Sequence, residues 1–324
     1  MLWKAESYRF NGIDITLKTN AIWPFILKNS FQAFRGKKAA ADLLFVFSRV
    51  PAPQVAQPKR PGADHPRFSI ASLSGVDSAL LSAPQVGKRL AAVLKNPGTL
   101  ALELKQESVM MFDFAHNRAD LFYSPASQNN PGEIGFGPAM LAPFMPNFDA
   151  LLLHASAIVR HGRAAVFLAL DEGGKTTAVR LSPQGTILCD DQVLVRRVRG
   201  GFRVSGTPWG FHVNPRIQAP LAGLFLLDKA DCFALEPLPV RELVAHVWEE
   251  IKNPLSMLPK PLKKKAFAVI CAITAAVPAW KLSFPRDHID WEILDRALEQ
   301  KTSAPAKRNK QGQKKPGPGF APLA

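Results

Sequence analysis

Cysteine is scarce and scattered. Cys189, Cys232 and Cys271 are the only three in 324 residues, with no C-x-x-C pair. That pattern specifies neither a disulfide framework nor a zinc site, and a reducing, cytoplasmic setting is expected. Acidic residues are the second shortage: 26 Asp and Glu stand against 41 Lys and Arg, a formal charge of +15 that favours acidic partners. Part of the excess is local, because Lys301, Lys307, Arg308, Lys310, Lys314 and Lys315 share a Pro- and Gly-rich tail without a carboxylate. Residues 301–324 are therefore expected to be a disordered solubilising extension rather than a specific nucleic-acid site. Long apolar runs are missing too. The opening MLWKAESYRF lacks the apolar core of a secretory leader. The most apolar stretch, residues 266–280 (AFAVICAITAAVPAW), is shorter than the roughly 20 residues a bilayer requires and carries Pro278 near its end. No membrane span is expected, and the stretch reads as a buried helix.

A 47% hydrophobic content over this length supports two ordinary cores. Apolar and polar residues alternate around Asn11-Gly12 in residues 8–19, a strong hairpin signal. The run LLFVFSRV suits a strand, residues 51–67 are too rich in Pro to pack regularly, and residues 82–95 have helical spacing. A strand at 100–104 and a second hairpin turning at His116-Asn117-Arg118 complete a β-rich amino-terminal part. His65 and His116 have no ligand-spaced partners and read as solvated turn residues. Residues 124–148, dense in Pro, Gly and Asn with a short apolar helix near Met140, mark the boundary. The expected division is 1–145, 146–300 and the tail 301–324.

The chemistry concentrates in residues 151–177, LLLHASAIVRHGRAAVFLALDEGGKTT. Two apolar strands meet at His161-Gly162, and the second runs into a turn ending Gly173-Gly174-Lys175-Thr176-Thr177. A strand, glycines that let backbone N–H groups face an anion, and a Lys and hydroxyl opening a helix make a phosphate cradle. The last three positions of G-x-x-x-x-G-K-[ST] are present; the first glycine is replaced by Ala169. A helix over 176–181 and a strand over 185–189 should follow, ending in Asp190-Asp191. Carboxylates one helix beyond a phosphate loop stand where Mg2+ or a general base is needed.

These residues resemble the HPr kinase/phosphorylase core, a P-loop group shared with phosphoenolpyruvate carboxykinase. His154 precedes Ala169 by the spacing at which that family places a His before its loop glycine, and CDDQV at 189–193 resembles its strand end. Gly206-Thr207-Pro208-Trp209, PLAGLFLLD at 220–228 and the closing KLSFPRDHIDWEILDRAL resemble the HPr-kinase-like SynChlorMet cassette proteins. The resemblance implies a mixed α/β fold, with a β-rich amino-terminal region followed by a phosphoenolpyruvate-carboxykinase-like P-loop kinase core. It further implies ATP and Mg2+ as cofactors, a Ser or Thr hydroxyl of a peptide or small protein as acceptor, and assembly into a homo-oligomer. By position, Gly173, Gly174 and Lys175 would face the β- and γ-phosphates, with Thr177 beside them. Thr176 and Asp191 would serve the metal, Asp190 would be the base, and His154 would lie beside the transferred group.

Departures from the pattern define a competing expectation. Ala169 restricts the loop backbone, Asp171 and Glu172 put negative charge beside an anion site, and Thr177 replaces an acidic residue. A catalytically degenerate nucleotide- or peptide-binding protein would carry such changes; carboxykinase chemistry would need further metal ligands that are not identifiable. By residue type alone, His154 reads first as a core histidine, Arg216 as a surface residue or a stabiliser of transferring phosphate charge, and Trp209 as packing or as the rim of a substrate mouth. Arg196, Arg197, Arg199 and Arg203 form a basic hairpin around Gly200-Gly201, solvated or facing an acidic peptide. Residues 240–251 carry one apolar helical face with His246 toward its polar side, which reads as packing.

Overall fold

A computed structural model describes residues 4–19, 33–36, 41–49, 84, 86–89, 100–105, 108–123, 137–169, 173–182, 186–209, 212–215, 217–256 and 258–299. The Pro-rich segment with His65, most of the 82–95 segment, Asp171, Glu172, Arg216 and the basic tail lie outside these residues.

The chain is a β-rich mixed α/β protein with two sheets. The first, in the order β1-β2-β3-β6-β5-β4, comprises β1 (Lys4–Phe10), β2 (Ile13–Thr19), β3 (Leu43–Arg49), β4 (Leu100–Lys105), β5 (Ser108–Asp113) and β6 (Arg118–Tyr123). Its tight turns follow from their residues. Asn11 (φ 47°) and Gly12 (φ 77°) are both left-handed, as a two-residue hairpin demands, and Asn117 (φ 47°) closes the β5–β6 turn. The side chains of β2 alternate between core and outer face, as its sequence does.

A four-residue helix, α1 (Pro138–Leu141), and a 3-10 helix (Ala142–Phe148) lead into the second sheet. Phe144 of that passage is fully buried and meets Phe45 and Phe112 at 5.8 Å and Phe114 at 5.0 Å. One continuous apolar cluster thus runs from Phe10 and Phe45 in the first sheet to Leu152 and Val195 in the second. Asn11 extends the junction through polar contacts, since its carbonyl accepts a 2.8 Å bond from Arg196 Nη1.

The second sheet has the order β11-β10-β7-β8-β12-β14-β13, with β9 also on β7. Its strands are β7 (Ala150–Arg160), β8 (Arg163–Leu168), β9 (Thr186–Cys189), β10 (Gln192–Val198), β11 (Gly201–Gly206), β12 (Gln218–Lys229), β13 (Ala234–Pro237) and β14 (Ala279–Phe284). Of the parallel trio β8, β12 and β14, β8 and the middle of β12 are apolar, as strands covered on both faces must be, whereas β14 alternates buried Trp280, Leu282 and Phe284 with more open Lys281 and Ser283. Helices α3 (Val240–Ser256) and α4 (Lys260–Ala276) pack against one cluster; α2 (Lys175–Arg180) and α5 (Trp291–Glu299) against another.

Residues 266–280 do not form one helix. The helix ends at Ala276, Val277 is extended, and beyond Pro278 the chain becomes β14. Pro278 stops the helix as its position warned, and Ala279-Trp280 pair with Leu224-Phe225 of β12, which places Trp280 on Phe225 at 5.1 Å. Among the described residues no helix is long and apolar enough to cross a membrane.

Arg160 ends β7 with a guanidinium that is 5% exposed and fork-bonded to Asp295 of α5 at 2.6 and 2.5 Å, over the Trp291 ring at 4.8 Å. The Arg160 hydrogen bonds hold the Asp295 carboxyl below the usual carboxylate range. Its contribution is therefore complete above the ordinary Asp value of about 3.9 and is lost as pH falls toward the lowered folded value. Arg160→Met is expected to cost about 3 kcal/mol and to flatten stability against pH below that point, as read by urea unfolding across an acid series. At Gly206, an added Cβ would stand 2.4 Å from the Leu188 carbonyl oxygen. Gly206→Ala should therefore lower stability by about 1–3 kcal/mol and shift the urea midpoint accordingly.

Candidate functional site

β7 organises the site because it changes partners along its length. On one edge, residues 150–154 pair with β10 and 157–159 with β9; on the other, 155–160 pair with β8. The pairs Gln192↔His154 and Cys189↔Ala157 keep a single register, so β9 and β10 are two halves of one strand interrupted at Asp190-Asp191. The interruption is a backbone kink: Asp191 has φ 105°, a conformation uncommon outside glycine and one that clusters at functional sites. Its carbonyl nevertheless accepts from Ala155 N–H at 2.9 Å, and Asp190 N–H donates to His212 at 3.2 Å.

The kink turns the two carboxylates to different surroundings. Asp190 is 4% exposed, and one oxygen, Oδ1, accepts from Ser156 Oγ at 2.7 Å and Thr176 Oγ1 at 3.1 Å. A buried carboxylate needs such donors, since an unpaired charge away from water is costly. The Asp191 side chain is 37% exposed, and His154 Nε2 lies 2.9 Å from its Oδ1. His154 is thus the partner of an aspartate rather than a satisfied core histidine.

β8 delivers the loop. Gly174, at φ 94°, caps α2, a conformation for which glycine is the default residue, and an added Cβ would meet the Phe284 ring at 3.4 Å. Lys175 is buried and its ammonium donates to the Ala169 carbonyl at 2.7 Å, folding back across the loop. Gly173 is half-buried beside it. Thr177 is half-buried too and makes no hydrogen bond to either aspartate; its carbonyl accepts from Leu181 N–H at 3.0 Å, so it serves the helix. The structure therefore brings together Lys175, Thr176, Asp190, Asp191 and His154 and leaves Thr177 to the side.

Ser156 is the residue that sequence reasoning missed. The signal was present: it is a lone hydroxyl in an apolar strand, two residues after His154 and so on the same face. Cys189, adjacent to Asp190, is fully buried; burial pushes its thiol up, keeping it protonated and inert. Thr207 is buried and donates to the carbonyl of Gln192, the residue after the kink, at 2.8 Å, while Trp209 packs at 6.0 Å on Phe10 of the first sheet. Among the described residues no cluster of three or more His, Cys, Asp or Glu could hold a metal ion by itself.

The arrangement defines a class first: an α/β protein whose glycine-capped Lys-Thr segment meets a kinked strand bearing two aspartates, one of them paired with a histidine on the neighbouring strand β7. Residues 144–299, the second sheet and its helices, match the family model described as SynChlorMet cassette protein ScmC. No curated protein matches the chain.

Ser156→Ala would leave the buried Asp190 carboxylate with Thr176 as its one side-chain hydroxyl donor. A stability loss of about 1–3 kcal/mol is expected in urea unfolding, with Ser156→Thr retaining most of it.

Proposed function

We propose that this protein is an ATP-dependent kinase of the HPr kinase type, built on a phosphoenolpyruvate-carboxykinase-like P-loop core, that phosphorylates a Ser or Thr hydroxyl of a peptide or small protein. The observation that carries the reading is the 3.1 Å bond joining the loop hydroxyl, Thr176, to the strand-end carboxylate, Asp190, beside a buried lysine. A loop lysine, a loop hydroxyl and a carboxylate at a strand end are the parts that phosphoryl transfer requires from a protein.

The donor set fits Mg-ATP. Mg2+ takes one or two carboxylates and completes its shell with phosphates and water, so a Thr-Asp pair suits it where an all-protein cage would not. Bound Mg-ATP supplies the γ-phosphoryl group and neutralises charge on its oxygens. In this reading Lys175 and the loop N–H groups after Gly173 orient the phosphates, and Thr176 and Asp190 hold the metal. Asp191, more open to solvent and oriented by His154, takes the acceptor hydroxyl proton. These two assignments exchange the roles expected from the family pattern. Asp190 already accepts two hydroxyls in a buried site, whereas a general base must reach its substrate.

One observation favours a second reading, a nucleotide- or peptide-binding protein without catalysis. Ala169 occupies the first-glycine position, is 2% exposed, and has its carbonyl engaged by Lys175, so this loop must open that contact before it receives a phosphate.

Calorimetry with Mg-ATP separates the two. The kinase reading expects binding that Lys175→Ala weakens at least tenfold. It also expects radiolabel transfer to an acceptor peptide that falls about 100-fold or more in Asp191→Asn. Absence of Mg-ATP binding by the wild-type protein would sink it, and transfer that survives Asp191→Asn but not Asp190→Asn would restore the original roles.

A further inference from the structure

A cavity of about 320 Å³ lies away from the aspartates, between the 3-10 helix, the β10–β11 hairpin and α4. Its walls include Pro146, Phe202, Ala268 and Val269, and its charged lining comprises Arg197, Lys265 and one carboxylate, Asp149. Lys265 Nζ donates to Asn147 Oδ1 at 3.1 Å, and the Arg197 guanidinium lies over the Phe202 ring at 5.6 Å, so both cations are held at the rim. The two flanking elements are one-signed. The hairpin 192–206 carries Arg196, Arg197, Arg199 and Arg203, and α4 carries Lys260, Lys263, Lys264 and Lys265, with no acidic residue in either. Arg197, Arg199 and Arg203 are exposed and form no ion pair among the described residues.

We infer that this cavity docks an acidic peptide segment, its carboxylates on Arg197, Lys265 and the flanking cations and one apolar side chain seated against Phe202 and Val269. Charge complementarity selects the ligand's sign, and the concave apolar wall selects a peptide. A single-stranded nucleic acid would stack its bases on exposed aromatic faces, and Phe202 is buried beneath Arg197. The site is also well placed to present a substrate. β10 runs from Asp191-Gln192 to Arg197, roughly 20 Å, a span that about six extended residues cover. As the docking point of the phosphate acceptor the cavity rests on the kinase reading; as a binding site it does not, so it is tested without nucleotide.

The probe is a fluorescein-labelled, glutamate-rich peptide with a central leucine, followed by anisotropy at low and physiological salt. Binding is expected to weaken about tenfold or more in Arg197→Glu/Lys265→Glu, and similarly when the peptide's glutamates become glutamines. Ala268→Trp, which fills the cavity from an exposed helix position, should weaken it without any change of charge, and the distant Lys229→Glu should not. The inference is overturned if the wild-type protein does not bind the probe, or if Ala268→Trp and the leucine-to-serine peptide bind unchanged. It is equally overturned if oligothymidine or phosphatidylserine vesicles bind more tightly than the peptide at the same cations. Loss of Mg-ATP binding in the separate calorimetry would leave these outcomes untouched.

Discussion

The carboxylate of Asp190 is the constraint on which the rest of this structure turns. It is buried, it accepts hydroxyls from a strand on one side and a loop helix on the other, and the chain around it must be kinked for it to sit there. Ser156 fixes it to β7, the strand that pairs with β8, β9 and β10. Thr176 fixes it to α2, whose position depends on Gly174 leaving β8 with a left-handed backbone. A shift of any one of these elements exposes or orphans a buried charge, so the start of α2 and the register of the sheet are held by one group.

The same kink distributes the chemistry. By turning Asp190 inward and Asp191 outward it produces two carboxylates of different character from adjacent residues, one bound and shielded, the other partly open and paired with His154. Environment rather than residue type separates them, which is how neighbouring acids come to have different roles in proposed phosphoryl transfer. The first sheet also meets this strand and the chain beyond it. Trp209, just beyond Thr207, meets Phe10 of β1, and Asn11 in the β1–β2 turn bonds Arg196 of β10. The amino-terminal sheet therefore abuts the strand that carries the site.

Much of this was legible because the local signals were strong. Asn11-Gly12 and His161-Gly162 announce two-residue turns by their tolerance of positive φ, and both hairpins form where expected. Alternation in β2 and the unbroken apolar runs of residues 164–168 in β8 and 221–227 in β12 distinguish a strand with one outer face from strands covered on both. The match of residues 144–299 to the SynChlorMet cassette protein family agrees with the subgroup that the Gly206-Thr207-Pro208-Trp209 and closing segments resemble. Signals confined to a single local window failed where two windows overlapped. Residues 266–280 are apolar enough for one helix, but pairing of Ala279 and Trp280 with β12 takes the last part for the sheet.

The sequence by itself determined which residues could do chemistry: a Lys and a Thr after two glycines, two adjacent aspartates after a short strand, and a histidine on an apolar run. Only the tertiary structure decided how they divide. That β9 and β10 form one interrupted strand along β7 is a matter of long-range pairing, and it sets Asp190 opposite Ser156 and Asp191 beside His154. Neighbours in sequence share a composition, but in a strand they face opposite ways, and a kink at φ 105° adjusts where each points. No local pattern encodes that, because the hydroxyls that hold the Asp190 carboxylate lie 34 and 14 residues before it.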